Sequence, residues 1–198
     1  MTPPEHLVVV GCSWGGLEGL SRMLDHVPAD LPAPIVVAQH RLHNASNLAG
    51  LLSRHTTWPV CEVEDKEPIG SRHVYLAPPG YHLLIDDDRF ALSTEGPVRH
   101  SRPSIDVLFE SAADSFTHRV VGVVLTGANA DGAEGLVRII RRGGLAVVQD
   151  PETAERRDMP EAALATGVEA HVARLEEIGP LLCELIAGRR RQDERSGT

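Results

Sequence analysis

L-V-V-V-G-C-S-W-G-G, from Leu7 to Gly16, is the stretch around which the rest of the chain is read. Its four leading residues are apolar, and Val8, Val9 and Val10 are β-branched, which suits a buried strand. Glycines follow, and then Leu17, Leu20, Met23 and Leu24 recur at helical spacing. Strand, tight turn and helix are the expected order. Gly11–Gly15 spells G-x-S-x-G, the pattern of a nucleophile elbow, where a sharp strand-to-helix turn exposes a serine hydroxyl at the end of a sheet. Glycine suits a turn in which a Cβ would clash. The helix start behind Ser13 offers free N–H groups and a positive dipole end, both useful to a developing oxyanion. Two other readings compete. An ordinary glycine-rich βα turn would use Ser13 as a helix N-cap. A dinucleotide site would fit Gly11 and Gly16, but Ser13 replaces the middle glycine and no acidic residue ends the next strand to hold a ribose.

Outward from this stretch the same alternation continues. Ile35–Gln39, Val60–Val63, Val120–Leu125 and Leu145–Gln149 read as apolar strands, with Val168–Val172 a shorter one. Between them lie helical patterns. One runs through Leu48, Leu51 and Leu52. Another is capped by Ser104 and buries Ile105, Leu108, Phe109, Ala112 and Phe116. A third carries Leu136, Ile139 and Ile140 and stops at Gly143-Gly144. Glu161–Ala165 is a helical turn, and Leu175–Ala187 is the last helix. Continuous apolar strands alternating with helices mean an α/β fold: a doubly wound, mainly parallel sheet flanked by helices on both faces. His73–Ala77, Tyr81–Ile85 and Arg89–Ser93 read as a β-hairpin or meander appended at about residues 73–93, with Asp86-Asp87-Asp88 as an acidic turn rather than a cation site. One domain over residues 1–187 is expected, with residues 188–198 a polar, disordered tail.

Composition narrows the function classes. The 198 residues carry a net charge of −9 with histidine neutral, which disfavours nucleic acid. No apolar run approaches the ~20 residues of a membrane span, and the first residues lack the pattern of a signal peptide, so membrane insertion is not expected and a cytoplasmic location is. Cys12, Cys61 and Cys183 are odd in number and widely spaced, which suggests neither a disulfide framework nor zinc.

Ligand sites in open parallel sheets form outside the carboxyl ends of the strands. Ser13 follows the first strand, His40 ends the second, and Asp131 lies in the loop T-G-A-N-A-D-G after Val120–Leu125. A serine, a histidine and an aspartate on one rim suit nucleophilic acyl chemistry. The imidazole takes the serine proton and returns it to the leaving group, and the carboxylate fixes the imidazole tautomer. Each has a plainer reading: His40 as a polar strand end, Asp131 as the N-cap of the helix behind it. His43 stands three residues from His40, but no third ligand is evident, so no metal is expected. Cys12, next to Ser13 in an extended segment, should pack inward as a small apolar filler.

These residues sit within several collinear motifs: G-C-S-W-G-G at Gly11–Gly16, Q-H at Gln39-His40, H-V-Y-L-A-P-P-G at His73–Gly80, R-P-S-I-D-V-L-F at Arg102–Phe109, L-T-G-A-N-A-D-G-A-E-G at Leu125–Gly135, and Met159-Pro160. With them the chain resembles the catalytic domain of the CheB-type chemotaxis protein-glutamate methylesterases, from about Leu7 to Ile186. The resemblance implies Ser13 as nucleophile, His40 as general base and acid, and Asp131 as the carboxylate that orients His40. It implies an oxyanion hole from the backbone N–H groups of Trp14 and Ala128. The implied substrates are methylated glutamates, and in many members glutamines, of the cytoplasmic helical bundles of methyl-accepting chemoreceptors, with no cofactor. The order Ser…His…Asp also departs from the Ser…Asp/Glu…His of standard α/β-hydrolases.

The chain differs from the family pattern at the walls of the site. Trp14 replaces a small threonine, His40-Arg41-Leu42 replaces H-M-P, and Ala128-Asn129-Ala130 replaces M-G-x before Asp131. Arg41, Arg99, Arg102 and Met159 are candidate substrate-binding residues, the arginines through acidic receptor helices. The family's usual N-terminal receiver domain is not in the sequence, so a separate regulator or a constitutively open site is expected. Two further functions stay open: a receptor- or partner-binding module with weak or no catalysis, and an esterase or amidase for another substrate.

Overall fold

The computed structural model describes residues 3–40 and 47–196. Nine strands and six α-helices are found among them. The strands are β1 (Leu7–Cys12), β2 (Ile35–Gln39), β3 (Val60–Glu62), β4 (Val74–Leu76), β5 (His82–Asp86), β6 (Arg89–Ser93), β7 (Val120–Val124), β8 (Leu145–Gln149) and β9 (His171–Ala173). The helices are α1 (Gly16–Asp25), α2 (Leu48–Leu52), α3 (Ile105–Phe116), α4 (Ala133–Arg141), α5 (Asp158–Ala165) and α6 (Leu175–Ser196). No helix among these residues is long and apolar enough to cross a membrane.

Seven strands form one parallel sheet in the order β3-β4-β2-β1-β7-β8-β9. The order reverses direction at β1. The chain first winds outward from β1 through β2 and then returns to build the other half from β7. Strand β1 is buried on both faces because its valines alternate between two cores. Leu7 and Val9 pack with α3, α4, α5 and the hairpin, while Val8, Val10 and Cys12 pack with α1, α2 and α6. Burying each such aliphatic side chain is worth ~1.5–3 kcal/mol of transfer free energy.

Strands β5 and β6 form a separate antiparallel pair, with His82 opposite Ser93 and Asp86 opposite Arg89. The first strand of the expected meander, β4, belongs instead to the main sheet between β2 and β3. The hairpin therefore covers less than residues 73–93. It packs on α3, where the Ser111 hydroxyl accepts the Ile85 N–H at 3.0 Å and the Ser115 hydroxyl donates to Ile85 O at 3.0 Å.

The end of the chain corrects an expectation. Helix α6 does not stop at Ala187 but continues to Ser196 through the stretch read as a disordered tail. Arg189 donates to Gly143 O at 2.8 Å, and Arg190 pairs with Glu5 at 2.7 Å. Arg189 and Arg190, within the expected tail, thus reach back to the body of the molecule.

Candidate active site

Ser13 sits immediately beyond β1, and the turn that carries it is built by glycines. Gly15, not Ser13, is the N-cap of α1, with φ of 74° in the left-handed region that favours glycine. The plainer reading of Ser13 as a helix cap is thus replaced by another contact: its Oγ lies 3.2 Å from His40 Nδ1. Gly11 is needed for a different reason. A Cβ there would run into the Ile105 side chain, so α3 could not begin beside β1. Cys12 points the other way and is fully buried, and that burial pushes its thiol pKa far up, which fits an inert filler.

His40 follows β2, its N–H donating to Cys12 O at 3.1 Å. Its Nε2 lies 2.7 Å from Asp131 Oδ2. A carboxylate only accepts, so Nε2 carries the ring proton and Nδ1 presents a lone pair towards Ser13. The side chain is 12% exposed and that of Asp131 is wholly buried.

Asp131 does not cap the helix behind it, whose N-cap is Gly132. Its carboxylate turns to the start of α3. It accepts the Ile105 N–H at 2.8 Å, the Asp106 N–H at 3.0 Å and the Ser104 hydroxyl at 3.0 Å. Burial alone would raise its pKa. The hydrogen bonds from His40 and from the α3 N–H groups outweigh burial and hold the carboxyl below its ordinary range. It is therefore ionised at neutral pH. Asp106 returns the contact by accepting the Gly132 and Gly135 N–H groups at 2.9 and 2.8 Å, so each carboxylate caps the other's helix.

The loop after β7 closes the site from above Ser13. Ser13 N–H donates to Thr126 O at 3.0 Å, and Gly127 lies so close to Ser13 and Met159 that a Cβ would overlap the Met159 sulfur. Met159, 1% exposed, is packed behind this loop and shapes it from inside. Among the described residues, neither the Trp14 N–H nor the Ala128 N–H donates to a protein acceptor. The Trp14 indole is 62% exposed. Its Nε1 donates to Glu155 at 2.9 Å, and the Arg156 guanidinium lies over the ring at 5.7 Å.

The candidate arginines are placed differently. Arg102 donates to the carbonyls of Thr94 and Glu95, both at 2.9 Å, and so ties down the loop before α3. Arg99 is half exposed and pairs with Asp106 at 3.3 Å. Arg41 and His43 lie outside the described residues. Several contributors were not singled out from sequence. Asn129 Nδ2 lies 3.1 Å, and Ser101 Oγ 3.4 Å, from His40 Nδ1. Buried His82, on the hairpin, accepts the Ser104 N–H at 3.2 Å and so steadies the residue that holds Asp131. The N-x-D spacing of Asn129 and Asp131 is an Asx-turn signal that a sequence reader can use. Nothing local marks Ser101 or His82.

Comparison with known proteins shows the family. A model of the CheB methylesterase family matches residues 8–182. The chain belongs to the CheB methylesterase family. The fold is that of a solved relative, the CheB methylesterase catalytic domain of Thermotoga maritima: TM-score 0.86, 31% identity, covering 91% of this chain and 98% of that one. A Leptospira interrogans protein named putative protein-glutamate methylesterase/protein-glutamine glutaminase is 45% identical over 181 residues, 90% of this chain and 93% of its own length. The Myxococcus xanthus protein-glutamate methylesterase FrzG is 37% identical over 93% of this chain and 56% of its own length. A protein-glutamate methylesterase/protein-glutamine glutaminase of Symbiobacterium thermophilum is 35% identical over 92% of this chain. The chain thus spans nearly all of the first relative and about half the length of the latter two. Its family is one of hydrolases that cleave carboxylic esters.

Proposed function

We propose that the protein hydrolyses methyl esters of methylated glutamates on chemoreceptor helical bundles through an acyl-enzyme, and that it also deamidates receptor glutamines. The observation that carries this is the unbroken path from Ser13 Oγ through His40 to Asp131 at 3.2 and 2.7 Å. Ser13 Oγ attacks the ester carbonyl as its proton passes to His40 Nδ1. Asp131, ionised and held by α3, stabilises the imidazolium. The Trp14 and Ala128 N–H groups receive the oxyanion, a role for which they have no competing protein acceptor among the described residues. Collapse of the intermediate breaks the carbonyl–methoxy bond, and Nδ1–H protonates the leaving methoxide to methanol. Water then gives its proton to Nδ1 and attacks the acyl-enzyme; as the acyl bond to Ser13 Oγ breaks, Nδ1–H returns that proton to Oγ, which frees the glutamate and restores Ser13. With glutamine the first leaving group is ammonia. Receptor signalling bundles are cytoplasmic, and this substrate would place the protein there.

The test is methanol release from methylated receptor membranes by the wild type and by Ser13→Ala. Loss of the nucleophile should lower release by ~10⁴-fold or more, and unchanged release would overturn the proposal. A second reading rests on Trp14, an exposed aromatic flanked by Arg156 and Glu155 next to the elbow, which is the composition of a binding hot spot. Receptor binding that survives Ser13→Ala, with no turnover by the wild type, would favour a binding module instead.

A further inference from the structure

Asn129 lies two residues before Asp131, and its side chain is fixed at both ends. Oδ1 accepts the Asp131 N–H at 3.0 Å. Only the carbonyl end of an amide can face that N–H, so the NH2 end is the one 3.1 Å from His40 Nδ1. Nε2 of the same ring is committed to Asp131, which leaves Nδ1 with one in-plane lone pair. Ser13 Oγ at 3.2 Å, Asn129 Nδ2 at 3.1 Å and Ser101 Oγ at 3.4 Å all converge on it. These donors compete for a single acceptor.

We infer that Asn129 is a brake on the triad, a positioning residue that favours the resting, unprotonated His40 by competing with Ser13 for the Nδ1 lone pair. The inference rests on the function proposed above. The tautomer does not require Asn129, because Asp131 already sets it. What the amide adds is stabilisation of the resting ring. When Ser13 attacks, its proton moves to Nδ1, and the new Nδ1–H points at an N–H donor. The contact changes from attractive to repulsive. The amide cannot turn its oxygen to the ring without giving up the Asp131 N–H. An interaction stronger in the ground state than in the transition state slows the step it precedes.

Asn129→Ser separates the brake from the turn. A serine hydroxyl can still accept the Asp131 N–H but is too short to reach the ring. The first readout is labelling of Ser13 by a small alkyl fluorophosphonate. The Oγ–P bond forms, the P–F bond breaks, fluoride leaves, and the serine proton passes to Nδ1. Labelling should quicken about three- to tenfold, the factor that the net worth of one neutral hydrogen bond converts to, and kcat for methanol release should rise with KM unchanged. The second readout is the ¹⁵N chemical shift of His40 Nδ1 in the neutral ring, read in a Ser13→Ala background so that Ser13 cannot take the freed lone pair; there Asn129→Ser should move it towards that of an unbonded imidazole nitrogen. Asn129→Ala should also label faster than wild type, although it melts at a lower temperature because the Asp131 N–H loses its partner. Labelling of Asn129→Ser at or below the wild-type rate would overturn the inference. If the wild type is not labelled at Ser13, the proposed function fails, and the nitrogen shift alone decides the Asn129 contact: an unmoved shift overturns it.

Discussion

Asp131 and Asp106 face each other across the starts of two helices, yet their surroundings push them in opposite directions. Asp131 is held low by His40 and by the α3 N–H groups that outweigh its burial. Asp106 is pushed up from 3.8 to about 6, first by burial and then by the Asp131 charge, against the lowering effect of the Gly135 and Gly132 N–H groups. The half-exposed guanidinium of Arg99 is too well solvated to offset this. Folding therefore tightens the grip of Asp106 on its proton. A raised pKa in the folded state contributes stability below the unfolded value and loses it as pH climbs from 3.8 through about 6. Asp131 does the reverse: its contribution is present above the unfolded value and disappears as pH falls. Urea denaturation of the wild type and Asp106→Asn at several pH values reads the Asp106 effect together with its coupling to Asp131. The stability of the wild type relative to the variant should fall as pH rises across that window, and a flat difference would show that Asp106 titrates normally. Sequence patterning pointed to Ser13, His40 and Asp131, but the partners that tune them, Asp106 and Asn129, depend on contacts between distant loops.

Helices α3 and α4 are locked by exchanged caps. Asp131, from the loop before α4, sits on the first N–H groups of α3, and Asp106, from the first turn of α3, sits on Gly132 and Gly135 of α4. Ser104 serves as the N-cap of α3, as its position predicts, and also donates to Asp131. The close approach of the two helices requires Gly135, where an added Cβ would stand 2.5 Å from Phe109 Cβ and 3.1 Å from Asp106 Cα. Gly135→Ala should cost ~1–3 kcal/mol by forcing the helices apart, read as a lower midpoint in urea. Because separation pulls Asp106 and Asp131 off their caps, turnover of a small ester should fall with it. A variant of wild-type stability would mean that the helices are not in contact there. The helices themselves are legible from the spacing of their apolar residues. Their exchange of caps is not, since a carboxylate near a helix start reads locally as a cap for that helix alone.

Across the whole molecule, the site exists because β2 and β7 both flank β1. Their carboxyl ends bring His40 and Asp131 to either side of Ser13, at the point where the winding of the sheet reverses. The hairpin supports the arrangement from outside through His82 on Ser104, and Arg102 ties down the segment after it through Thr94 and Glu95. Among the described residues, the far end of α6 contributes to neither core past Ile186. Its links to the body are exposed pairs such as Arg190 with Glu5. Ending the chain after Gly188 should therefore lower thermal stability only slightly, by about 1 kcal/mol or less per exposed pair, and leave methanol release unchanged. A large loss of either would assign α6 a role beyond its packed turns.

The sequence by itself determined the alternating strands and helices, the glycine turn at Gly11–Gly16 and the family motifs, because apolar periodicity and glycine placement are local properties. They sufficed to put Ser13, His40 and Asp131 at strand ends. Strand order is a non-local choice, and only the tertiary structure decided that β2 and β7 adjoin β1 and so bring those ends within hydrogen-bonding distance. It also decided that Ser13 is not a cap, that Asp131 serves α3 rather than α4, that the expected tail is helix, and that Asn129 reaches the His40 imidazole. In each case the deciding partner lies on another loop or element, and no pattern along the chain records which groups meet when the elements pack.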